Sequence, residues 1–409
     1  MYMNKILIIG LTDATRVIVP YLCTHKGLVD EICIAAKNKD KCDELKKKYK
    51  DAPVRIVTAG VDVTIEEKAL LMMRIFGPNV IINVAPSHLN KLIMGIAVKI
   101  GASYIDEKYY TDETGRTCLI EEQFAMASGF FSNKTTCVTG CSFSAAAFLC
   151  LTRLALSKKM LDSVSSVDII DLTLSGSNKD EAMPTKEDFF RLSQPAKYIE
   201  GGEVKEAPSM SISSEFDMNG DPVKVYMFSS PVIDCYQRGL PEIKEVKYYA
   251  DLEQSTADIA GMLRKIGMLS SEPIKYKGIE IAPIDYLSEV LPKPVNSDDN
   301  KGGKNIKGVL LTGTKGEEEK SIFMYFECSS SEEPSKYGVD VSSYLSAVTL
   351  MSGALLISSG EWNTPGVFTS GDFDPELLLA KMEELGIKYS IGYDVKRPYL
   401  KNGKGRKKA

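Results

Sequence analysis

Short apolar, β-branched runs alternate with amphipathic stretches through the first third of the chain. KILIIG, from Lys5, reads as a strand, and the segment after it as a helix reaching about Lys26. DEICIAA (Asp30–Ala36) reads as a second strand, and KDKCDELKKKY as a helix with a charged outer face. VRIVTAGVD, ending at Asp62, is the third strand. TIEEKALLMMRIFG predicts a helix with Thr64 as its N-cap and Gly77 as its C-cap. NVIINVAP (Asn79–Pro86) is nearly all apolar and reads as a fourth strand, followed by a helix that closes at Gly101. SYIDE and TTCVTGC (Thr135–Cys141) are the fifth and sixth strands. Apolar strands separated by helices predict βαβ units and a parallel sheet buried on both faces. Right-handed crossovers then make an α/β, doubly wound, Rossmann-like sheet.

After Cys141 the pattern changes. SAAAFLCLTRLALSKK is a long apolar helix, and alternating strands follow: SSVDIIDLTLSG, KYIEGGEVKEAP with a turn at Gly201-Gly202, and SISSEFDMNGDPVKVYMFS with a turn at Asn219–Pro222. PVNSDDNKGGKN is a polar loop, and the next hairpin turns near Gly316. Hairpins of this kind predict a second, α+β domain. From Tyr337 a helix rich in small residues begins. The expected division is 1–141, a Rossmann-like domain; 142–336, an α+β domain; 337–395, a C-terminal segment; and 396–409, a basic, disordered tail.

Composition narrows the functional classes. With 409 residues, 44% hydrophobic and 26% charged, the chain is ordinary globular material for two domains. A net charge of −5 carries no nucleic-acid footprint. Nine scattered cysteines without a C-x-x-C pair predict buried or free thiols in a reducing cytoplasm. Two histidines, His25 and His88, make a histidine-based metal site improbable, and no metal is expected. The N-terminal apolar run is too short for a signal peptide or membrane span, and no other segment reads as long enough to cross a bilayer.

Ligands of doubly wound sheets bind at the C-terminal ends of the strands. A G-x-G-x-x-G turn would stand after the first strand; here its glycine positions hold Gly10, Thr12 and Thr15. Gly10 can make the tight turn, Thr12 puts a β-branched side chain where a backbone would approach pyrophosphate, and Thr15 crowds the helix–strand contact. A threonine hydroxyl can still bond a phosphate, and the helix N-terminus keeps its free N–H groups, although Asp13 adds an opposing charge. The cofactor-lining candidates are Gly10, Thr12, Ala14, Thr15 and Arg16; Ala36, Lys37 and Asn38; Asp62; Asn83, Ala85 and Pro86; and Cys141 and Ser142. No acid ends the second strand, and Lys37 stands there instead, so NADP(H) is favoured over NAD(H).

A ligand that carries a carboxylate calls for an arginine fork, and one that carries an ammonium calls for carboxylates or aromatic faces. Arg191 and Arg238 are the substrate-binding candidates. Asp168 and Asp171 lie three apart and so face opposite sides of a strand, and Asp171, nearer the strand's C-terminal end, is chosen as catalytic. Tyr226 is a candidate proton donor, and His88, after the fourth strand, a candidate acid or nicotinamide contact. Cys141 has no histidine near in sequence and reads better as a buried thiol than as a nucleophile.

DEICIAAKNKDKCDEL, PNVIINVAP, GASYIDE, VDIIDLTLSG, GMLSSEPIKYKGIEIAPIDYLSEVLPKP and above all GEWNTPGVFTSGDFDPELLLAKMEELGI occur in the order seen in the saccharopine dehydrogenase-like family. The chain resembles most its carboxynorspermidine (carboxyspermidine) dehydrogenases, over nearly its whole length. The resemblance implies a Rossmann domain interrupted by a catalytic and dimerisation domain, with the C-terminal segment packing back on the first. It also implies a homodimer and NADPH-dependent reduction of the imine of aspartate β-semialdehyde and a diamine, a step of polyamine biosynthesis. No nucleic-acid or membrane partner is implied. The departures are local: Thr12 and Thr15 replace glycines, Ala36-Lys37 replaces Ser-Arg, and Ser142-Phe143-Ser144-Ala145-Ala146 replaces Gly-Phe-Asp-Pro-Gly after Gly140-Cys141. Three readings stay open: this imine reductase, a reductase of altered substrate, and a catalytically degenerate paralogue with a binding or regulatory role.

Overall fold

A seven-stranded parallel sheet frames the first of two units in the computed structural model, which describes residues 3–24, 27, 29–113, 117–174, 186–217, 222–290, 304–393 and 395. Its first strands and helices alternate as β1 (Lys5–Ile9), α1 (Asp13–Thr24), β2 (Glu31–Ala36), α2 (Lys39–Lys48), β3 (Arg55–Gly60), α3 (Glu66–Phe76), β4 (Val80–Asn83), α4 (Asn90–Ile100) and β5 (Ser103–Asp106). Then come α5 (Ile120–Phe124), α6 (Ala127–Asn133) and β6 (Thr136–Val138). The strands stand in the order β3-β2-β1-β4-β5-β6, that of the Rossmann fold. Leu7, Ile9, Ile81 and Tyr104 pack on one face with Met73, Phe76, Ile93 and Phe130, while Ile6, Ile8, Ile34 and Ile82 are buried on the other. Both faces are covered, as the unbroken apolar runs demand. Gly77 and Gly101 end their helices in the left-handed conformation, as expected.

Two local expectations are corrected. β3 ends at Gly60, so Asp62 lies in the loop beyond it. Thr64 does not cap α3: its N–H (3.0 Å) and hydroxyl (2.6 Å) both donate to Asp62 Oδ1, and Ile65 takes the cap position without a side-chain hydrogen bond. The Asp62 carboxylate outcompetes the helix for the threonine.

The second unit is built on a nine-stranded mixed sheet. A π-helical turn, Phe143–Ala147, leads into α7 (Phe148–Ser157), within which one unit passes to the other. Then follow β7 (Ser163–Leu174), α8 (Lys186–Ser193), β8 (Ala196–Glu200), β9 (Glu203–Ala207), β10 (Ser213–Phe216), β11 (Val223–Met227), α9 (Val232–Gly239) and β12 (Glu245–Asp251). After them come α10 (Gln254–Lys265), the small hairpin β13 (Ile274–Tyr276) and β14 (Ile279–Ile281), α11 (Pro283–Val290), β15 (Lys304–Lys315) and β16 (Glu318–Ser329). β7 runs through the sheet, parallel to β12 and antiparallel to β15. Ile170, Leu172, Val225, Tyr249, Ile306 and Phe323 form the core on one face. The turn at Asn219–Pro222 lies largely outside the described residues; the polar loop and basic tail lie outside them but for Lys304 and Asn305, which begin β15.

The chain then returns. α12 (Glu333–Tyr337), α13 (Val341–Ser359), β17 (Gly366–Phe368) and α14 (Pro375–Glu384) belong to the first unit, and β17 completes the parallel sheet beside β6. The C-terminal segment therefore packs back on the Rossmann sheet, but only to Lys388. Tyr389–Tyr393 is β18, an edge strand paired with β16 in the second sheet. α13 also corrects the reading that no segment could span a bilayer. By length and composition it is apolar enough, but 78% of that window is buried. It lies against α1, β4 and β5, so its apolarity is that of a core helix. Gly353 makes this approach possible, because a Cβ there would come within 2.7 Å of Ile105.

Candidate functional site

The β1–α1 turn is closed by its own threonine. Gly10 has φ +110°, and a Cβ on it would lie 2.9 Å from the Val84–Ala85 backbone, so glycine is obligatory on both counts. Thr15, 1% exposed, donates its hydroxyl proton to the Gly10 carbonyl (3.0 Å) and accepts from the Thr12 N–H (3.2 Å). The side chain in the third glycine position thus uses an amide that the turn could otherwise offer to a phosphate. Ala14 is buried in the helix, leaving only its backbone to face a ligand, whereas Thr12 and Arg16 are exposed. Asp13 is paired with Arg16 at 3.3 Å, which tempers the charge it sets near the turn. Replacing Thr15 with alanine is expected to release the Thr12 amide and tighten dinucleotide binding about tenfold, roughly 1.5 kcal/mol for one hydrogen bond to a charged group. Equilibrium titration of the two proteins with NADPH measures this, and equal affinities would show the amide to be irrelevant.

At the next strand ends the sequence candidates fall together. Lys37 reaches Asp62 (3.0 Å), whose carboxyl is held below its usual range by the hydrogen bonds from Thr64 and from Lys37. Asn38 is the N-cap of α2, accepting from the Lys41 N–H, so its side chain serves the helix. Asn83 is spent on structure as well: it donates to Asn90 and Tyr104 (2.8 Å each) and accepts from the Ala85 N–H (3.0 Å). Pro86 precedes the 3-10 turn Ser87–Leu89, which carries His88 half-buried.

Asp106, which sequence reasoning missed, organises this edge of the sheet. It is 1% exposed and accepts from the Gly140 N–H (2.6 Å), Thr139 (3.3 Å), Gln123 (2.7 Å) and Tyr104 (3.0 Å). No local pattern marks it, since Gln123 and Gly140 stand 17 and 34 residues away. Burial pushes its carboxyl up to about 7 against the pull of those donors. An acid whose folded pKa is raised stabilises the protein fully below its unfolded value and loses that contribution as pH rises. Between about pH 4 and 7 the fold is therefore expected to lose on the order of 4 kcal/mol from this group. Urea unfolding across that window should show the decline in the wild type and a flatter profile for Asp106→Asn; parallel profiles would remove Asp106 as the cause.

The Cys141 side chain does not face the strand-end edge as a free thiol. Its thiol is fully buried, pushed well above its ordinary range by desolvation, and lies against α13, while its N–H donates to the Asp106 carbonyl (2.8 Å). It packs the core, as its lack of a histidine partner suggested. Ser142 is half-buried and begins the π-helical turn.

In the second unit the register brings Tyr226, Ala250, Asp171 and Lys307 into one row across β11, β12, β7 and β15, on the face opposite the apolar core. Asp171 accepts from Tyr248 (2.6 Å) and pairs with Lys307, their side chains 12% and 6% exposed. Burial opposes the charge on Asp171, but Lys307, with help from Tyr248 and Arg191, holds the carboxyl below its usual range. Arg191 lies 4.7 Å over the Phe228 ring. Tyr226, 6% exposed, has Lys224 4.7 Å over its own ring. Asp168 is buried as well, because this strand is covered on both faces. Arg238 stands exposed in the last turn of α9. Lys307, Tyr248 and Phe228 escaped sequence reasoning because strand pairing over 136 residues joins Lys307 to Asp171.

A Rossmann sheet with a second, mixed-sheet domain inserted after β6 defines a class of two-domain, dinucleotide-dependent oxidoreductases. Residues 6–138 match the saccharopine dehydrogenase NADP binding domain, and residues 189–387 the saccharopine dehydrogenase C-terminal domain. The chain belongs to the saccharopine dehydrogenase family. It is 24% identical to the carboxyaminopropylagmatine dehydrogenase of Synechocystis, an alignment covering 94% of this chain and 96% of that one. It is 23% identical to the carboxynorspermidine synthase of Vibrio cholerae, covering 96% of each. The yeast saccharopine dehydrogenase (L-Glu forming) has a similar fold, with TM-score 0.73, 11% identity and 95% and 99% coverage. The Legionella pneumophila homospermidine synthase, solved with NAD, gives TM-score 0.64 at 11% identity, with 100% and 95% coverage.

The residues present fit a nicotinamide dinucleotide: the glycine turn, the start of α1 and Lys37 beyond β2 are all at the C-terminal edge of the sheet. The difference is the amide taken by Thr15.

Proposed function

We propose that this protein reduces the imine formed between aspartate β-semialdehyde and the primary amine of a diamine, with NADPH as reductant. The observation that carries the reading is the row on the second sheet. It combines a charged carboxylate, cations and aromatic rings, which suits a substrate bearing a carboxylate and an ammonium. The relatives named for carboxyaminopropylagmatine and carboxynorspermidine support the same chemistry.

Aldehyde and amine condense with loss of water to a C=N bond. Reduction places a hydride on the carbon and a proton on the nitrogen, leaving a secondary amine. A bound NADPH supplies the hydride. Gly10, Thr12 and the N-terminus of α1 would hold its phosphates, and Lys37 its 2′-phosphate, exchanging Asp62 for it. Arg191, planar and already seated on Phe228, is suited to grip the substrate carboxylate. Asp171, held ionised, is no proton donor; it fixes Lys307 and Tyr248. The Tyr226 hydroxyl is assigned to the imine nitrogen.

The test is NADPH oxidation by the purified protein with semialdehyde and a series of diamines, followed by mass detection of the secondary amine. Arg191→Gln should raise KM for the semialdehyde and leave NADPH affinity unchanged. Turnover without that KM change would reject the assignment of Arg191, and absence of turnover with every diamine would reject the reading.

The closure of the Thr12 amide by Thr15 favours a second reading, a degenerate paralogue with a binding or regulatory role. Failure to bind NADPH at millimolar concentration would overturn the reductase readings.

A further inference from the structure

The first unit contains a pocket of about 430 Å³ between α1, α12, α13 and the end of α14, lined by none of the residues assigned above. Tyr21, Tyr337 and Tyr344 line it, with Glu333, Glu384 and Met351. The Tyr337 and Tyr344 rings stack with centroids 6.0 Å apart and planes 20° from parallel. Leu385 and Gly386, just past the last turn of α14, complete the wall.

We propose that this pocket is a binding site for a small aliphatic ammonium ion. Tyrosine faces attract cations through the ring quadrupole. Two carboxylates and the negative end of a ten-residue helix add to the same sign of field. A neutral apolar ligand would leave the carboxylates without a partner of its own. Each glutamate already pairs with a lysine three residues away on its own helix, Glu333 with Lys336 and Glu384 with Lys381. Such exposed pairs are worth only about 0–1 kcal/mol, so an incoming ammonium displaces a lysine at small cost. The hydrocarbon stem of the ligand has Met351 and the tyrosine rings to lie on. The chain's polar and aromatic groups here are supplied by one unit alone, so the site does not depend on the proposed reductase activity.

Met351 reports on the pocket locally. In the full-length protein with methyl-labelled methionine, its resonance is identified by Met351→Leu and followed during titration with putrescine. Saturable movement with putrescine, absent with butanediol, is the expected result. Glu384→Gln, at an exposed position, and Tyr337→Leu, at a half-buried one, should each weaken that binding about threefold while circular dichroism stays unchanged. A Met351 signal that ignores putrescine, or that follows butanediol equally, overturns the proposal. Binding at the row containing Asp171 leaves this signal still, so loss of turnover and loss of this site are separately read.

Discussion

Replacing Asp171 with asparagine is expected to cost about 3–5 kcal/mol of stability, the penalty for leaving a buried charge without its partner. Lys307, 6% exposed at its side chain, would then face an amide where it now meets a carboxylate. The amide oxygen could still accept from Lys307 while the NH₂ group donated to the Tyr248 hydroxyl oxygen, but the charge on Lys307 would be left uncompensated. The double replacement Asp171→Leu with Lys307→Met should recover most of the loss, because an apolar pair of similar volume needs no desolvation. It should also abolish turnover, since the charge that orders the row is gone. Denaturant unfolding of the wild type, the single variant and the double variant measures all of this. A single variant within 1 kcal/mol of the wild type would show that the pair is not buried in solution, by order of magnitude. The pH dependence has a definite sign. The Asp171 carboxyl is held below its ordinary 3.8, so its contribution is present above that value and is lost as pH falls through the lowered one.

The second large effect is expected at Gly140. Alanine there would adopt φ +65° and place its Cβ 2.2 Å from the Tyr109 ring. The left-handed backbone costs about 1–2 kcal/mol and the overpacking about 1–3 kcal/mol, so a loss of roughly 2–5 kcal/mol follows. The Gly140 N–H is also the shortest hydrogen bond to Asp106, and displacing it loosens the whole edge of the sheet. Gly140→Ala combined with Tyr109→Ala separates the two causes: the collision is relieved and the backbone strain is kept. Measured against Tyr109→Ala alone, which itself loses a buried ring, the cost of Gly140→Ala should be smaller than in the wild type. No difference would place the entire cost in the backbone, and a stable single variant would mean that the turn takes another shape.

The strands of the first sheet were legible because each is a dense apolar run closed by a turn residue, and the βαβ rhythm repeats often enough to leave one topology. Lys37 and Asp62 were both read as candidates, and the structure joins them. Asp171 and Tyr226 were picked singly and fall in one row. What stayed hidden depends on contacts without local signature. Asp106 is one acid at a strand end until Gln123 and Gly140 arrive. Lys307 sits in an apolar strand, where nothing nearby announces a cation. Thr64 looked like a cap because the residues around it fit one, but the competing acceptor, Asp62, lies outside the helical pattern. The departure of Tyr389–Tyr393 to the second sheet was equally invisible, since an edge strand is defined by its neighbour.

The placement of β17 has a consequence for how the protein is made. The parallel sheet lacks its last strand, and β4 and β5 lack the cover of α13, until a segment beyond residue 340 has been synthesised. The nascent N-terminal unit therefore leaves the ribosome with apolar sheet surface waiting for a partner more than 200 residues away, while the whole intervening unit forms in between. Long-range closure of this kind is slow and exposes sticky intermediates. Chains halted before Val341 should require chaperones to remain dispersed even though every strand of β1–β6 is already present.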